Sequence, residues 1–140
     1  MTDADLTPER ERRVREAFEN VPYAHFLGIK LGLLQPGEAT LHLELRDEMR
    51  RNNGFVHGGV VASLADTAAA FAILTLLEPD QTTTTVDLTI HYLRPLLKGE
   101  ITARARVLRM GRRVMVISVD VLDEAKTVAA TALTSFIRIA

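Results

Sequence analysis

Asp66 is the residue that packing alone explains least. It stands in Val60-Val61-Ala62-Ser63-Leu64-Ala65-Asp66-Thr67-Ala68-Ala69-Ala70-Phe71, and no lysine or arginine lies between His57 and Leu77. A carboxylate among apolar neighbours, with no cation at hand, costs free energy. It either faces a polar seam or serves as a general base or nucleophile in a dry site. The second feature is His57-Gly58-Gly59, just upstream. Glycines opening a helix leave backbone N–H groups unshielded, and the helix dipole adds positive potential there. Such donors can hold a carbonyl oxygen while negative charge builds on it. Alone, the tripeptide could equally be a turn. Together with Asp66 it is equipment for attack on a carbonyl.

Spacing constrains how the two could cooperate. Gly58 and Asp66 are eight residues apart, so along one helix they are separated by ~12 Å. Reacting atoms must come within ~3–3.5 Å. If both act on one carbonyl, the carboxylate comes from a second copy of the chain, with the two helices antiparallel across a twofold axis. The sequence therefore predicts an obligate homodimer with two shared sites.

The elements that must position these groups follow from periodicity. Thr7-Pro8 reads as a helix start, and Val14, Ala17, Phe18 and Val21 form one apolar stripe behind it. Glu9–Arg13 and Glu11–Arg15 are spaced as helical ion pairs on a solvated face. Pro22 ends this helix, and Tyr23 to Leu27 reads as a short second turn. Gly28 to Leu34 is a strand candidate, and a turn follows at Gln35-Pro36-Gly37-Glu38. Ala39, Leu41, Leu43 and Leu45 then alternate with polar residues, as in a half-buried strand.

After a polar loop over 47–56 comes the long apolar segment, which ends before Pro79. Four strands complete the chain, near Thr83–Arg94, Ile101–Val107, Met115–Val121 and Thr127–Ile139. Connections at Leu97-Lys98-Gly99, Met110-Gly111-Arg112 and Asp123-Glu124-Ala125-Lys126 suggest an antiparallel meander. A helix apolar almost all round must be surrounded. The economical answer is an α+β fold, a curved antiparallel β-sheet wrapped around one long central helix. One domain over 1–140 is expected, with an N-terminal helical segment over 1–27 and the core over 28–140.

Composition narrows the function. The chain has 140 residues, no cysteine, and 17 basic against 18 acidic residues. This excludes disulfides, thiolate metal sites and a cysteine nucleophile, and it argues against nucleic acid as a partner. No metal is expected, because the four histidines show no metal-ligand spacing. Ser63 lacks the glycine elbow of serine hydrolases. The apolar run contains Asp66 and hydroxyl residues, so it predicts a soluble helix and no membrane association. The acidic start, with Asp3 and Asp5, does not read as a secretory signal, and a cytoplasmic location is expected.

The run Asn52-Asn53-Gly54-Phe55-Val56-His57-Gly58-Gly59, with Asp66 seven residues beyond Gly59 and Thr85-Val86-Asp87-Leu88-Thr89-Ile90-His91-Tyr92-Leu93-Arg94-Pro95 further on, resembles the hotdog-fold acyl-CoA thioesterases. The resemblance spans roughly residues 20–140. It is strongest to the phenylacetate-degradation branch, which is similar to the small mammalian acyl-CoA thioesterases. It implies hydrolysis of an acyl-CoA to a free acid and CoA, with no cofactor besides the coenzyme A of the substrate. It also implies that hotdog dimers often pair into a homotetramer.

The roles it implies are these. The Gly58 N–H polarises the thioester carbonyl, with Gly59 beside it. Asp66 of the partner chain activates water or attacks directly, and Thr85 helps to hold the water. His57 orients the helix entrance. The family asparagine would fall at Arg51, so Asn52 or Asn53 takes that role. Arg94 and Arg112, with Lys98 and Arg113, are candidates for the phosphates. Phe71, Leu74, Leu64 and Phe55 are candidates for the apolar wall, though each also fits a plain core. Two other readings share the fold: an acyl-thioester dehydratase or hydratase, and a non-catalytic acyl-CoA-binding protein.

Overall fold

The computed structural model describes residues 5–139; of the acidic start, Met1 to Ala4 lie outside it. Thr7 caps the first helix, α1 (Pro8–Glu19), by accepting from the Arg10 N–H at 3.1 Å. Pro22 opens α2 (Pro22–Leu27), which closes on Gly28 in the left-handed region. The strands are β1 (Lys30–Gln35), β2 (Glu38–Glu44), β3 (Thr83–Tyr92), β4 (Glu100–Met110), β5 (Val114–Leu122) and β6 (Val128–Arg138). Between β2 and β3 lies the long helix α3 (Gly58–Leu74). The α+β reading and its central helix are correct.

The six strands form one antiparallel sheet in the order β1-β2-β4-β5-β6-β3. Inward residues alternate along β2 and most of β4, β5 and β6, as the period-2 pattern requires. Leu41, Leu43, Ile101, Ala103, Ile117, Val119 and Val121 are almost wholly buried beneath α3, which packs on β2, β4 and β5. Phe18 of α1 meets Phe71 of α3 edge-on, with centroids 5.2 Å apart, and so fastens the N-terminal helix to the core.

Three expectations need correction. First, the meander holds only for β4-β5-β6. β3 pairs with β6 and not with β4, so the Leu97-Lys98-Gly99 connection is a crossover. The space beside β4 is taken by β2, and β3 fills the far edge.

Second, α3 is not enclosed. Ser63, Asp66, Thr67 and Ala70 remain only half-buried, because a single six-stranded sheet covers one side of a helix. Third, the α1 arginines are not a merely solvated face. Glu11 does pair with Arg15 at 2.9 Å. Arg13, however, donates to the Leu77 carbonyl at 2.8 Å, and Arg10 donates to the carbonyls of Thr75 and Leu77 at 3.1 and 2.8 Å. Carbonyls beyond a helix C-terminus lack intrahelical partners and carry its negative dipole end, which outcompetes an exposed Glu9. No helix among the described residues is long and apolar enough to cross a membrane.

Candidate active site

The start of α3 is built by its own sequence. His57 is the N-cap, and its Nδ1 accepts the Gly59 N–H at 2.8 Å. The His57 N–H donates to the Met49 carbonyl at 2.8 Å, and the Val56 N–H to that of Leu96 at 2.9 Å. The chain is thus held on both sides as it enters the helix. His57 sits at the helix entrance and hydrogen-bonds locally. Gly59, by contrast, spends its N–H on His57, so the donor that stays free among the described residues is the Gly58 N–H.

Gly58 opens onto a cleft of about 340 Å³ lined by Arg51, Phe55, Gly58, Tyr92, Arg94 and Ala130, among others. Ala129 and Ala130 leave this space because they are small where β6 runs beside the end of β3. Among the described residues, no carboxylate lines it. Two guanidinium groups and the positive end of α3 make it a place for an electron-rich oxygen.

Asp66 lies two turns further along α3. Its Oδ1 accepts the Thr85 hydroxyl at 2.8 Å. Thr85 reaches it from β3, next to a register shift between Thr85 and Asp87; such bulges re-aim side chains. The polar seam and the carboxylate expected at Asp66 are therefore one arrangement, with the second carboxylate oxygen uncommitted among the described residues.

Within one chain the residues form two separate groups. Gly58, Arg94, Arg51 and Tyr92 surround the cleft, while Asp66 and Thr85 sit ~12 Å along the helix. Arg112 belongs to neither. It lies in the β4–β5 turn, where its carbonyl accepts from Arg138, at the end of the sheet where β3 starts. Arg94 follows the other end of β3, so the two arginines are roughly 30 Å apart at strand rise.

The loop assigns its residues differently from the reading by type. The Asn53 side chain accepts the Phe55 N–H at 3.2 Å and is used in the turn. Asn52 is exposed and lies outside the cleft lining, whereas Arg51 is part of it. Of the apolar candidates, Leu64 and Phe71 belong to the core, and Phe55 lines the cleft. Leu74 is half-buried against the core and lies outside the cleft lining.

Tyr92 and Arg51 were not singled out as site residues by sequence. The signal for Tyr92 is its phase with Leu88 and Ile90, the half-buried residues of β3 beyond the register shift, which turns it toward α3.

Comparison with known proteins agrees with this architecture. The pattern of the thioesterase superfamily matches residues 53–130, which include Asp66, Thr85 and the cleft lining apart from Arg51. A Saccharolobus solfataricus protein named as an esterase is 30% identical over 89% of this chain and 82% of its own. The acyl-coenzyme A thioesterase 13 of Pongo abelii is 32% identical over 64% of each chain. Among solved structures, the E. coli PaaI protein from the phenylacetic acid degradation operon superposes with a TM-score of 0.89 at 26% identity, covering 96% of both chains. The chain belongs to the thioesterase superfamily, as a thioester hydrolase with the hotdog fold.

Proposed function

We propose that this chain hydrolyses an acyl-CoA thioester to the free acid and CoA, as a homodimer with two sites shared between subunits. The observation that carries this reading is the division of one reaction's equipment. A free amide faces a cleft at Gly58, and a hydroxyl-braced carboxylate stands at Asp66, too far along the same helix to act on the same atom.

In the proposed mechanism the thioester carbonyl lies in the cleft, with its oxygen on the Gly58 N–H. That donor becomes more favourable as the oxygen gains charge, which lowers the barrier. The Asp66 carboxylate of the second subunit takes a proton from water, or attacks the carbonyl itself. Thr85 donates to one carboxylate oxygen, so the other is held toward the substrate. The tetrahedral intermediate collapses with loss of the CoA thiolate, which on the water route takes up the proton held by Asp66. On the route of direct attack, water then hydrolyses the acyl–aspartyl anhydride, releasing the acid and restoring the carboxylate. Arg94 and Arg51 at the cleft mouth supply cations for the CoA phosphates. CoA belongs to the substrate, and no cofactor enters the reaction.

Two features support the dimer. The open side of α3 carries Ser63, Asp66, Thr67 and Ala70, only half-buried in one chain. β3 is an edge strand of ten residues without a proline or a lysine, and Val86 on it is 57% exposed. Natural edges left free are usually blunted by such residues. Pairing two β3 edges with the open faces of α3 opposed covers both, and brings Gly58 of one copy toward Asp66 of the other. The further step to a homotetramer is part of the same proposal.

The test is thiol release from phenylacetyl-, butyryl- and decanoyl-CoA, combined with subunit mixing. Asp66→Ala and Gly58→Val are each expected to lose about a hundredfold or more in kcat while staying folded. Refolded together in equal amounts, they should recover about a quarter of wild-type activity. Half the dimers are then mixed, and each mixed dimer has one intact site of two. Full activity in Asp66→Ala, or no recovery on mixing, would overturn the reading.

A further inference from the structure

An amide can stabilise a developing oxyanion only if its direction is set before the reaction. On the N-terminal side, His57 is tied by its N–H bond to the Met49 carbonyl at 2.8 Å, and the His57 carbonyl, in the peptide that bears the Gly58 N–H, accepts the Val60 N–H at 3.0 Å. On the other side stands Tyr92, the last residue of β3. Its hydroxyl donates to the Gly58 carbonyl at 2.9 Å.

The ring is as close as the hydroxyl. A Cβ on residue 58 would lie 3.1 Å from Tyr92 Cζ, 3.2 Å from Oη and 3.4 Å from Cε1. Gly58 is not among the glycines with positive φ, so its backbone does not demand glycine. The missing side chain makes room for the tyrosine. Both residues also line the cleft.

We propose that Tyr92 is a positioning residue for hydrolysis, whose hydroxyl and ring lock the Gly58 amide in the direction that receives the thioester oxygen. It acts through Gly58 rather than on the reacting atoms. The proposal rests on the reading that Gly58 holds the carbonyl.

Tyr92→Phe keeps the ring and removes the bond. The expected result is a loss of about tenfold to a hundredfold in kcat, because small misplacements of a catalytic donor cost this much. KM should change by less than about threefold, and the thermal midpoint should move by no more than about 5 °C. A tyrosine that merely holds the fold would show the reverse, a lowered midpoint with kcat kept.

The proposal is overturned if kcat stays within about twofold of wild type, if KM rises while kcat does not change, or if the variant unfolds or loses more than about 10 °C. The ring contact has its own check. Gly58→Ala should lower the midpoint more in the native background than in Tyr92→Ala, and equal shifts would refute it. Asp66→Asn is assayed in parallel. If it keeps full thiol release, the underlying reading fails. If it is inactive while Tyr92→Phe is unaffected, only the role of Tyr92 fails.

Discussion

The Thr85–Asp66 hydrogen bond is where residue chemistry is most economical. One hydroxyl from a strand takes one oxygen of a carboxylate on a helix, at 2.8 Å, and leaves the other uncommitted among the described residues. Thr85→Val keeps the shape and removes the donor. It is expected to lower kcat by about tenfold, with KM little changed, whereas Thr85→Ser should stay near wild type; steady-state thiol release decides this. Much of this site was legible as residue types. Asp66 announced itself by standing without a cation in an apolar run, and Gly58 by its place at a helix start. Arg51 and Tyr92 were not legible, because nothing about an arginine in a polar loop, or a tyrosine ending a strand, says which cavity it faces.

At the scale of elements, α1 is more than a cover. Its buried Val14 and Phe18 follow from the apolar stripe. Its arginines reach across to the carbonyls that follow α3, over a sequence separation of more than sixty residues. Hydrogen bonds from charged donors are worth about 1.5–3 kcal/mol when shielded and less when exposed. Arg10→Ala with Arg13→Ala is therefore expected to cost about 2 kcal/mol in urea unfolding, with kcat unchanged at 25 °C. An unchanged unfolding midpoint would show these bonds to be superficial.

Elements were readable where period and punctuation agreed. Thr7-Pro8, Pro22 and Gly28 mark the helix limits, and alternation marks the strands. Their order in the sheet was not. The connection at Leu97-Lys98-Gly99 looks like a hairpin, yet β2 occupies the place beside β4. Strand adjacency is a competition among all strands for partners, and local spacing carries no record of it.

For the whole molecule the open edge of β3 matters most. A charge on an edge that pairs with its copy should separate the subunits, since burying it unpaired is costly. Val86→Lys is expected to lower the sedimentation mass to that of a single chain and abolish thiol release together, leaving the far-ultraviolet spectrum intact. A monomer with wild-type kcat would show that one chain suffices.

Thr85 and the part given to His57 came from the family resemblance, while the sequence by itself determined the fold class, the long apolar helix and the candidates Asp66 and Gly58. Those follow from local rules: period, capping, and the cost of a carboxylate among alanines. Tertiary structure decided what meets what. It drew Thr85 onto Asp66 across nineteen residues, brought Tyr92 against Gly58 across thirty-four, and placed Arg51 rather than Asn52 in the cleft. It also left one face of α3 only half-buried. The physical reason is that contacts between distant segments depend on the path of the whole backbone. Spacing along one helix can exclude a contact within it, and only the packed sheet can create one.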